Sequence, residues 1–184
     1  TVKTNDSCTS QITRSLVVHE KPQAMFTFGT ACEDMQVSFT DMSGYSGGSI
    51  SAWEWDFGDP PSGSSNNSIL QNPTHIYNNA GSYIVSLIAY IAEGCSDTAQ
   101  MSVTVHAPPA VGFSIQESCS NDTTFFVSSD SVQMGAIESW AWDFGDNTTS
   151  TLADPMHIYT NAGVYTEILT VTDTSGCSST RIKP

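Results

Sequence analysis

Histidine is the side chain in this sequence best suited to act as a general base or a metal ligand near neutral pH. His75 and His157, however, occupy the same place in a segment that occurs twice, Pro-x-His-x-Tyr. A catalytic site is normally assembled once, from different loops, so repetition favours a structural role for both. The sequence also lacks Gly-x-Ser-x-Gly, Walker and His-Glu-x-x-His motifs. We therefore predict no catalytic residue and no enzyme activity.

Four aspartates form a second set with possible chemistry, because carboxylates are preferred ligands of Ca²⁺. They are Asp56, Asp59, Asp143 and Asp146. Neither copy shows an Asp-x-Asp-x-Asp loop, and aspartates in turns often accept hydrogen bonds from the backbone instead. We expect no cofactor, with calcium at these aspartates as the open alternative.

The elements that position these residues come from an internal repeat. Residues 52–59, Ala-Trp-Glu-Trp-Asp-Phe-Gly-Asp, recur as Ser-Trp-Ala-Trp-Asp-Phe-Gly-Asp at 139–146, and residues 72–83 recur at 154–165. The alignment predicts one domain over 22–107 and a second over 108–184, whose last strand is truncated. It also predicts that residues 1–21 are the final strand of a preceding repeat.

Alternation of apolar and polar residues indicates β-strands in each copy, as in residues 35–40 and 101–105. No helical pattern is evident, and about six or seven short strands per copy favour two packed antiparallel sheets. Alternation also sends Trp53, Trp55 and Phe57 to one face. The predicted fold class is all-β, with at least one tryptophan of each pair in the core.

Cysteines recur at two places in each copy. Cys32 and Cys119 precede the second strand, whereas Cys95 and Cys177 lie in a late turn. One pair per copy predicts the bridges Cys32 to Cys95 and Cys119 to Cys177, each contributing on the order of 4 kcal/mol. Cys8, which aligns with Cys95, is left unpaired. Regular pairing predicts an oxidising, extracellular compartment.

Composition excludes some partners. Nineteen acidic residues against five Lys and Arg give a net charge of -14, which repels nucleic acid and anionic lipid. No apolar run of about 18 residues is present, so membrane insertion is not expected.

The combined motifs resemble the polycystic kidney disease (PKD) domain. The residues that carry the resemblance are Trp53, Trp55, Asp56, Phe57, Gly58, Asp59, His75, Tyr77 and Tyr83, repeated as Trp140, Trp142, Asp143, Phe144, Gly145, Asp146, His157, Tyr159 and Tyr165. The resemblance implies tandem Ig-like sandwiches that serve as extracellular spacers or binding modules.

A narrower resemblance links the cysteine-bearing turn to PKD repeats in large surface adhesins of Bacteroidetes, including gliding adhesins. Asp-Ser/Thr-apolar segments are similar to sites that such bacteria O-glycosylate. Thr98, Thr123 and Ser131 are the corresponding candidate sites of a glycoprotein.

These observations predict a structural, adhesive module at the cell surface that forms a stalk or filament array. Its expected partners are neighbouring repeats and a surface polysaccharide or protein ligand. The alternative is a substrate-binding or spacer module of a secreted hydrolase acting on polysaccharide or protein.

Overall fold

The computed structural model of the chain describes residues 2–3, 9–10, 12–116 and 119–183. The first part contains β1 Val2–Lys3, β2 Thr9–Ser10, β3 Phe26–Phe28, β4 Gln36–Asp41, β5 Ala52–Asp56, a 3₁₀ helix Pro60–Asn66, β6 Asn67–Ser68, β7 Thr74–Ile76, β8 Gly81–Tyr90 and β9 Ser96–Val105. The second part contains β10 Phe113–Gln116, β11 Thr123–Ser128, β12 Ile137–Asp143, β13 Thr149–Ser150, β14 Met156–Ile158, β15 Glu167–Asp173 and β16 Ser178–Lys183.

The strands form two similar modules, each built from two antiparallel sheets. In the first module the sheets run β3-β4-β7 and β6-β5-β8-β9, and in the second they run β10-β11-β14 and β13-β12-β15-β16. The predicted fold class, tandem Ig-like antiparallel β-sandwiches, is confirmed.

A long hairpin, β8–β9, gives the first module its length. Its two strands pair at every position from Gly81 with Val105 to Tyr90 with Ser96. Ten residues at about 3.3 Å each extend about 33 Å. The two ends of this hairpin are therefore far apart, which becomes important for the cysteines.

Alternating residues of the facing strands meet in a core dominated by aromatic rings. Trp55 and Phe57 are fully buried, and Trp142 and Phe144 occupy the same places in the second module. Trp53 and Trp140 are partly buried at the core's edge. Because buried aromatic side chains remove large apolar areas from water, these residues dominate the stability of each small sandwich.

The partly buried tryptophans are held by hydrogen bonds from their indole nitrogens. Trp53 donates to Asp41 at 2.7 Å, and Trp140 donates to Asp130 at 2.9 Å. The two acceptors are not equivalent in the repeat, because Ser128 aligns with Asp41. Each indole nitrogen thus donates to a carboxylate, although the two carboxylates come from different positions in the repeat.

The loop that differs in length between the copies is a 3₁₀ helix in the first module, where the sequence predicts irregular structure. Two prolines at its start fit the fixed φ of a first helical turn. Asn66 at its end is buried, donating to the Asp56 carboxylate at 2.9 Å and accepting from the Asp59 amide at 2.6 Å. This asparagine ties the longer loop to the repeated motif.

Residues 12–22 form no strand, contrary to the expected final strand of a preceding repeat. Leu16 and Val18 align with the buried Val103 and Val105 but are 87% and 83% exposed. In the first module β9 is held by β8, whereas no described strand pairs with residues 12–22. Part of the segment expected to form that strand lies outside the described ranges. Among its described residues, β1 pairs with β2.

We predict that Gly58→Ala lowers the free energy of unfolding by about 3 kcal/mol or more. Gly58 has a φ of 70°, and a Cβ there would lie 2.4 Å from the carbonyl oxygen of Ile84 in β8. Gly94→Ala is the matched control, since its φ is also positive but no atom lies within 4 Å. The control should lose about 1 kcal/mol in denaturation followed by tryptophan fluorescence. Equal losses would contradict the role of the β8 contact.

Candidate functional site

A column of stacked rings runs through the first module beside the Phe57-Gly58-Asp59 turn. The His75 ring is stacked on Phe57 with centroids 4.6 Å apart, and Tyr77 meets its edge at 4.5 Å. The Nε2 atom of His75 lies 3.0 Å from the Asp59 carboxylate, and both residues are buried. Tyr77 donates to the Phe57 carbonyl at 3.0 Å, and burial raises the pKa of this phenol.

The second module repeats the column. His157 is stacked on Phe144 at 4.4 Å, with Nε2 2.7 Å from the Asp146 carboxylate, and Tyr159 donates to the Phe144 carbonyl. Desolvation alone would raise the pKa of Asp146, but hydrogen bonds from Thr148 and His157 outweigh it and lower that pKa. Both columns therefore join strand β7 or β14 to the turn after the tryptophans.

Thr148, His157 and Asp146 lie together but lack the geometry of a catalytic triad. In a catalytic triad, one imidazole nitrogen of the histidine faces the nucleophile and the other nitrogen faces the carboxylate. Here Nε2 of His157 faces both the Thr148 hydroxyl at 3.5 Å and the Asp146 carboxylate at 2.7 Å. The arrangement fastens the turn and offers no activated nucleophile.

The four aspartates considered for calcium have hydrogen-bond partners of their own. Asp56 accepts from Gly58 at 2.8 Å, and Asp143 accepts from Gly145 at 2.9 Å, while Asp59 and Asp146 face their histidines. Within the described ranges, no group of three or more His, Cys, Asp or Glu side chains could hold a metal ion.

The cysteines correct the sequence-based pairing. Cys32 is bonded to Cys177 of the other module, with an S–S distance of 2.04 Å and Cα atoms 5.8 Å apart. The predicted bridges Cys32 to Cys95 and Cys119 to Cys177 are wrong in this structure, where Cys95 and Cys119 are not disulfide-bonded. Cys8 lies outside the described residues.

The length of the sandwich explains the correction. Cys95 directly precedes β9. Cys32 lies at the other end of this strand, because its backbone pairs in an isolated β-bridge with His106, which directly follows β9. The two cysteines of one module are thus about 33 Å apart along the strand, far beyond the roughly 7 Å that a disulfide allows between Cα atoms. We call the end with the Cys95 turn the leading end and the end with His106 the trailing end.

Cys32 at the trailing end of the first module meets Cys177 at the leading end of the second. His106 lies at this junction and is held by backbone hydrogen bonds. Its amide donates to the Ala31 carbonyl at 2.9 Å, and its carbonyl accepts from the Glu33 amide at 2.9 Å. The Cys177 sulfur lies 3.9 Å from the same His106 carbonyl. Both bonded cysteines are buried, so the bridge is sealed from solvent.

The turn that carries Cys177 is preorganised by the buried Asp173. One carboxylate oxygen accepts hydrogen bonds from the amides of Ser175 at 2.9 Å and Cys177 at 3.0 Å. Gly176 has a φ of 83°, and a Cβ there would lie 3.4 Å from the Thr30 side chain of the first module. Hydrogen bonds within the second module therefore hold this turn where it contacts the first module.

A cavity of about 350 Å³ completes the junction. The first module contributes residues 80–82 and 104–107, and the second contributes Gln133, Met134 and Asp173. Surfaces from both modules thus face each other beside His106, and the two sandwiches are joined end to end.

Sequence reasoning missed this junction because the repeat alone does not distinguish a bridge within a copy from one between copies. The odd number of cysteines is equally compatible with both patterns. The length of the ten-residue strand between Cys95 and His106 distinguishes the two pairing patterns. It places the two cysteine positions of one copy at opposite ends of the module.

Comparison with known proteins identifies the sequence family. The family model described as PKD domain matches residues 19–105 and 106–183. Collagenase ColA of Bacillus cereus is 51% identical over 45 residues, which are 24% of this chain and 5% of that protein. The pre-pro-metalloprotease PrtV of Vibrio cholerae is 54% identical over 46 residues, 25% of this chain and 5% of PrtV. The chain therefore spans only a small fraction of these relatives.

Solved structures include two similar single domains. The PKD1 domain of Vibrio anguillarum Epp is 27% identical to this chain, with a TM-score of 0.43. The match covers 50% of this chain and all of that domain. The PKD1 domain of PrtV is 34% identical, covers 47% of this chain and 98% of its own, and has a TM-score of 0.40. Within the part of the chain that the structure describes, no helix has the length and apolar character needed to span a bilayer.

We predict that replacing both Cys32 and Cys177 by serine loosens the junction without unfolding either sandwich. Amides of Glu33 and His106 should exchange with deuterium faster, because their hydrogen bonds to His106 and Ala31, respectively, lose the covalent tie beside them. Strands β8 and β15 should exchange at the wild-type rate. The matched control replaces Cys95 and Cys119, and it should change neither region. Faster exchange throughout β15 would show that the bridge instead holds the second sandwich together.

Proposed function

The chain belongs to the PKD domain family, and we propose that it is a non-catalytic spacer unit of an extracellular protein, with modules joined end to end. The family occurs in proteins named as collagenases and metalloproteases. The columns beside His75 and His157 link strands and turns, which is a structural use of these residues.

The observation that carries this proposal is the buried Cys32–Cys177 junction. A flexible linker would leave each module free to rotate, whereas the disulfide adds a second connection beside the linker. The start of the linker is also anchored, because the backbone of His106 binds Ala31 and Glu33 of the first module. Such a joint favours a semi-rigid stalk.

Charge supports the same role. Both modules contribute to a net charge of -14, and like charges oppose the side-by-side collapse of neighbouring sandwiches. The Cys32–Cys177 bridge supports an oxidising, extracellular setting. Thr98, Thr123 and Ser131 are all exposed, which keeps them accessible for O-glycosylation. Their glycosylation, display at the cell surface and a role in adhesion form part of this proposal.

A second candidate function is binding of the substrate of an attached secreted protease. A surface groove of about 510 Å³ in the first module supports it, lined by Trp53, Tyr90, Ile69 and Leu70. Ile69 and Leu70 are 79% and 64% exposed, so apolar surface is available to a protein ligand beside the edge of an indole ring.

We predict that small-angle X-ray scattering of the oxidised chain gives an elongated particle. The distance distribution should extend to roughly twice the length of one module, whose long hairpin alone spans about 33 Å. Reduction of the disulfide should broaden the distribution without shortening it. A compact distribution, with the modules side by side, would contradict the spacer role.

For the second candidate, binding to insoluble collagen is the direct measurement, because three relatives of this chain are named as collagenases. If the groove binds it, Leu70→Ser should reduce retention severalfold. Leu152→Ser is the matched control, since Leu152 is the counterpart in the second module and is also 64% exposed. Absence of retention, or equal effects of both changes, would reject this groove as a collagen site.

A further inference from the structure

The unbonded cysteines occupy the same repeat positions as the bonded ones. Cys119 is the counterpart of Cys32, and Cys95 is the counterpart of Cys177. The junction within the chain joins a trailing-end cysteine of one module to a leading-end cysteine of the next. Cys119 is therefore a trailing-end cysteine and Cys95 a leading-end cysteine, and neither is disulfide-bonded in this structure.

The trailing-end cysteine of the first module, Cys32, is buried where it meets the second module, whereas its counterpart Cys119 is exposed. A cavity of about 720 Å³ is lined by Cys119, Lys183 and residues 161–165. In the first module the equivalent residues 80–82 face Gln133 and Met134 across the junction. Val164, the counterpart of Ser82, is 90% exposed. The surface beside Cys119 is thus the continuation of an interface already formed once in this chain.

The Cys95 turn has the same backbone hydrogen bonds as the Cys177 turn, although Ile91 stands where the second module has Asp173. The Ser46 hydroxyl donates to the Glu20 carboxylate, and these two residues are the counterparts of Gln133 and Ala107, which both line the junction cavity. Cys95 is only half-buried and accessible to a partner.

We propose that Cys119 and Cys95 are linkage sites, and that Cys119 of one module forms a disulfide with the Cys95 position of the module that follows it. The partner is a further module of the same kind, and a second copy of this chain presents one. Such a contact is heterologous, because different ends of the two copies meet, so it extends into a linear array instead of closing.

The chemistry is thiol–disulfide exchange with a low-molecular-weight disulfide such as oxidised glutathione. The Cys119 thiolate attacks the small disulfide and releases one small thiol, and the Cys95 thiolate then attacks the mixed disulfide and releases the second. Two protein thiols lose two electrons and two protons, and the small disulfide is reduced to two thiols. The product is one Cys119–Cys95 bond.

This inference rests on the proposed spacer function but has a separate test. Cys8 aligns with Cys95 in the sequence, so both variants carry Cys8→Ser. In that background, Cys95→Ser retains the Cys119 thiol, and Cys119→Ser retains the Cys95 thiol. One variant is labelled with ¹⁵N, the two are mixed in oxidised glutathione, and intact dimers are weighed without reduction. The triple variant lacking Cys8, Cys95 and Cys119 is the control and should remain monomeric.

We expect mixed dimers to exceed either homodimer at least about tenfold, since about 1.4 kcal/mol of favourable contact suffices for that ratio. Statistical pairing, or no dimer, would overturn the proposal.

If a variant fails to fold, peptide mapping of oxidised wild-type oligomers replaces it: Cys119 linked to Cys95 or Cys8 supports the proposal, and symmetric linkages overturn it. An elongated monomer in scattering with no mixed dimer would retain the spacer role and reject only the linkage.

Discussion

The distance between the two ends of one sandwich determines which cysteines of this chain can form a disulfide. Strand β9 places Cys95 at one end of the first module and His106 with Cys32 at the other. A disulfide cannot cross about 33 Å, so a bonded cysteine must find its partner in a neighbouring module. The bridge between Cys32 and Cys177 consequently fastens modules together, and the stability of each sandwich has to come from elsewhere.

That stability comes from the aromatic column of each module. Trp55 and Phe57 fill the core, His75 stacks on Phe57, and Asp59 holds the imidazole. The second module keeps these contacts although its loop is shorter, with Thr148 binding the motif's last aspartate where the first module uses Asn66. The motif thus builds a sandwich that needs no internal bridge, which leaves the cysteines available for the junction.

The fold could be predicted from sequence because period-two alternation and the repeat specify strands and modules locally. The burial of Trp55 follows from the same alternation with Phe57. Other features depend on relations that periodicity does not carry. The pairing of Cys32 depends on which end of a strand each cysteine occupies, the contact of Trp140 depends on an aspartate at a non-equivalent position, and the expected strand around Leu16 and Val18 needs a partner strand.

Peptide mapping of the oxidised, unreduced chain distinguishes a bridge between modules from a bridge within one. After digestion with the free thiols blocked, we expect a linked pair of peptides containing Cys32 and Cys177, with the peptides of Cys95 and Cys119 alkylated in the monomer. Linked peptides containing Cys32 and Cys95, or Cys119 and Cys177, would show that each module closes its own bridge and would contradict the end-to-end junction.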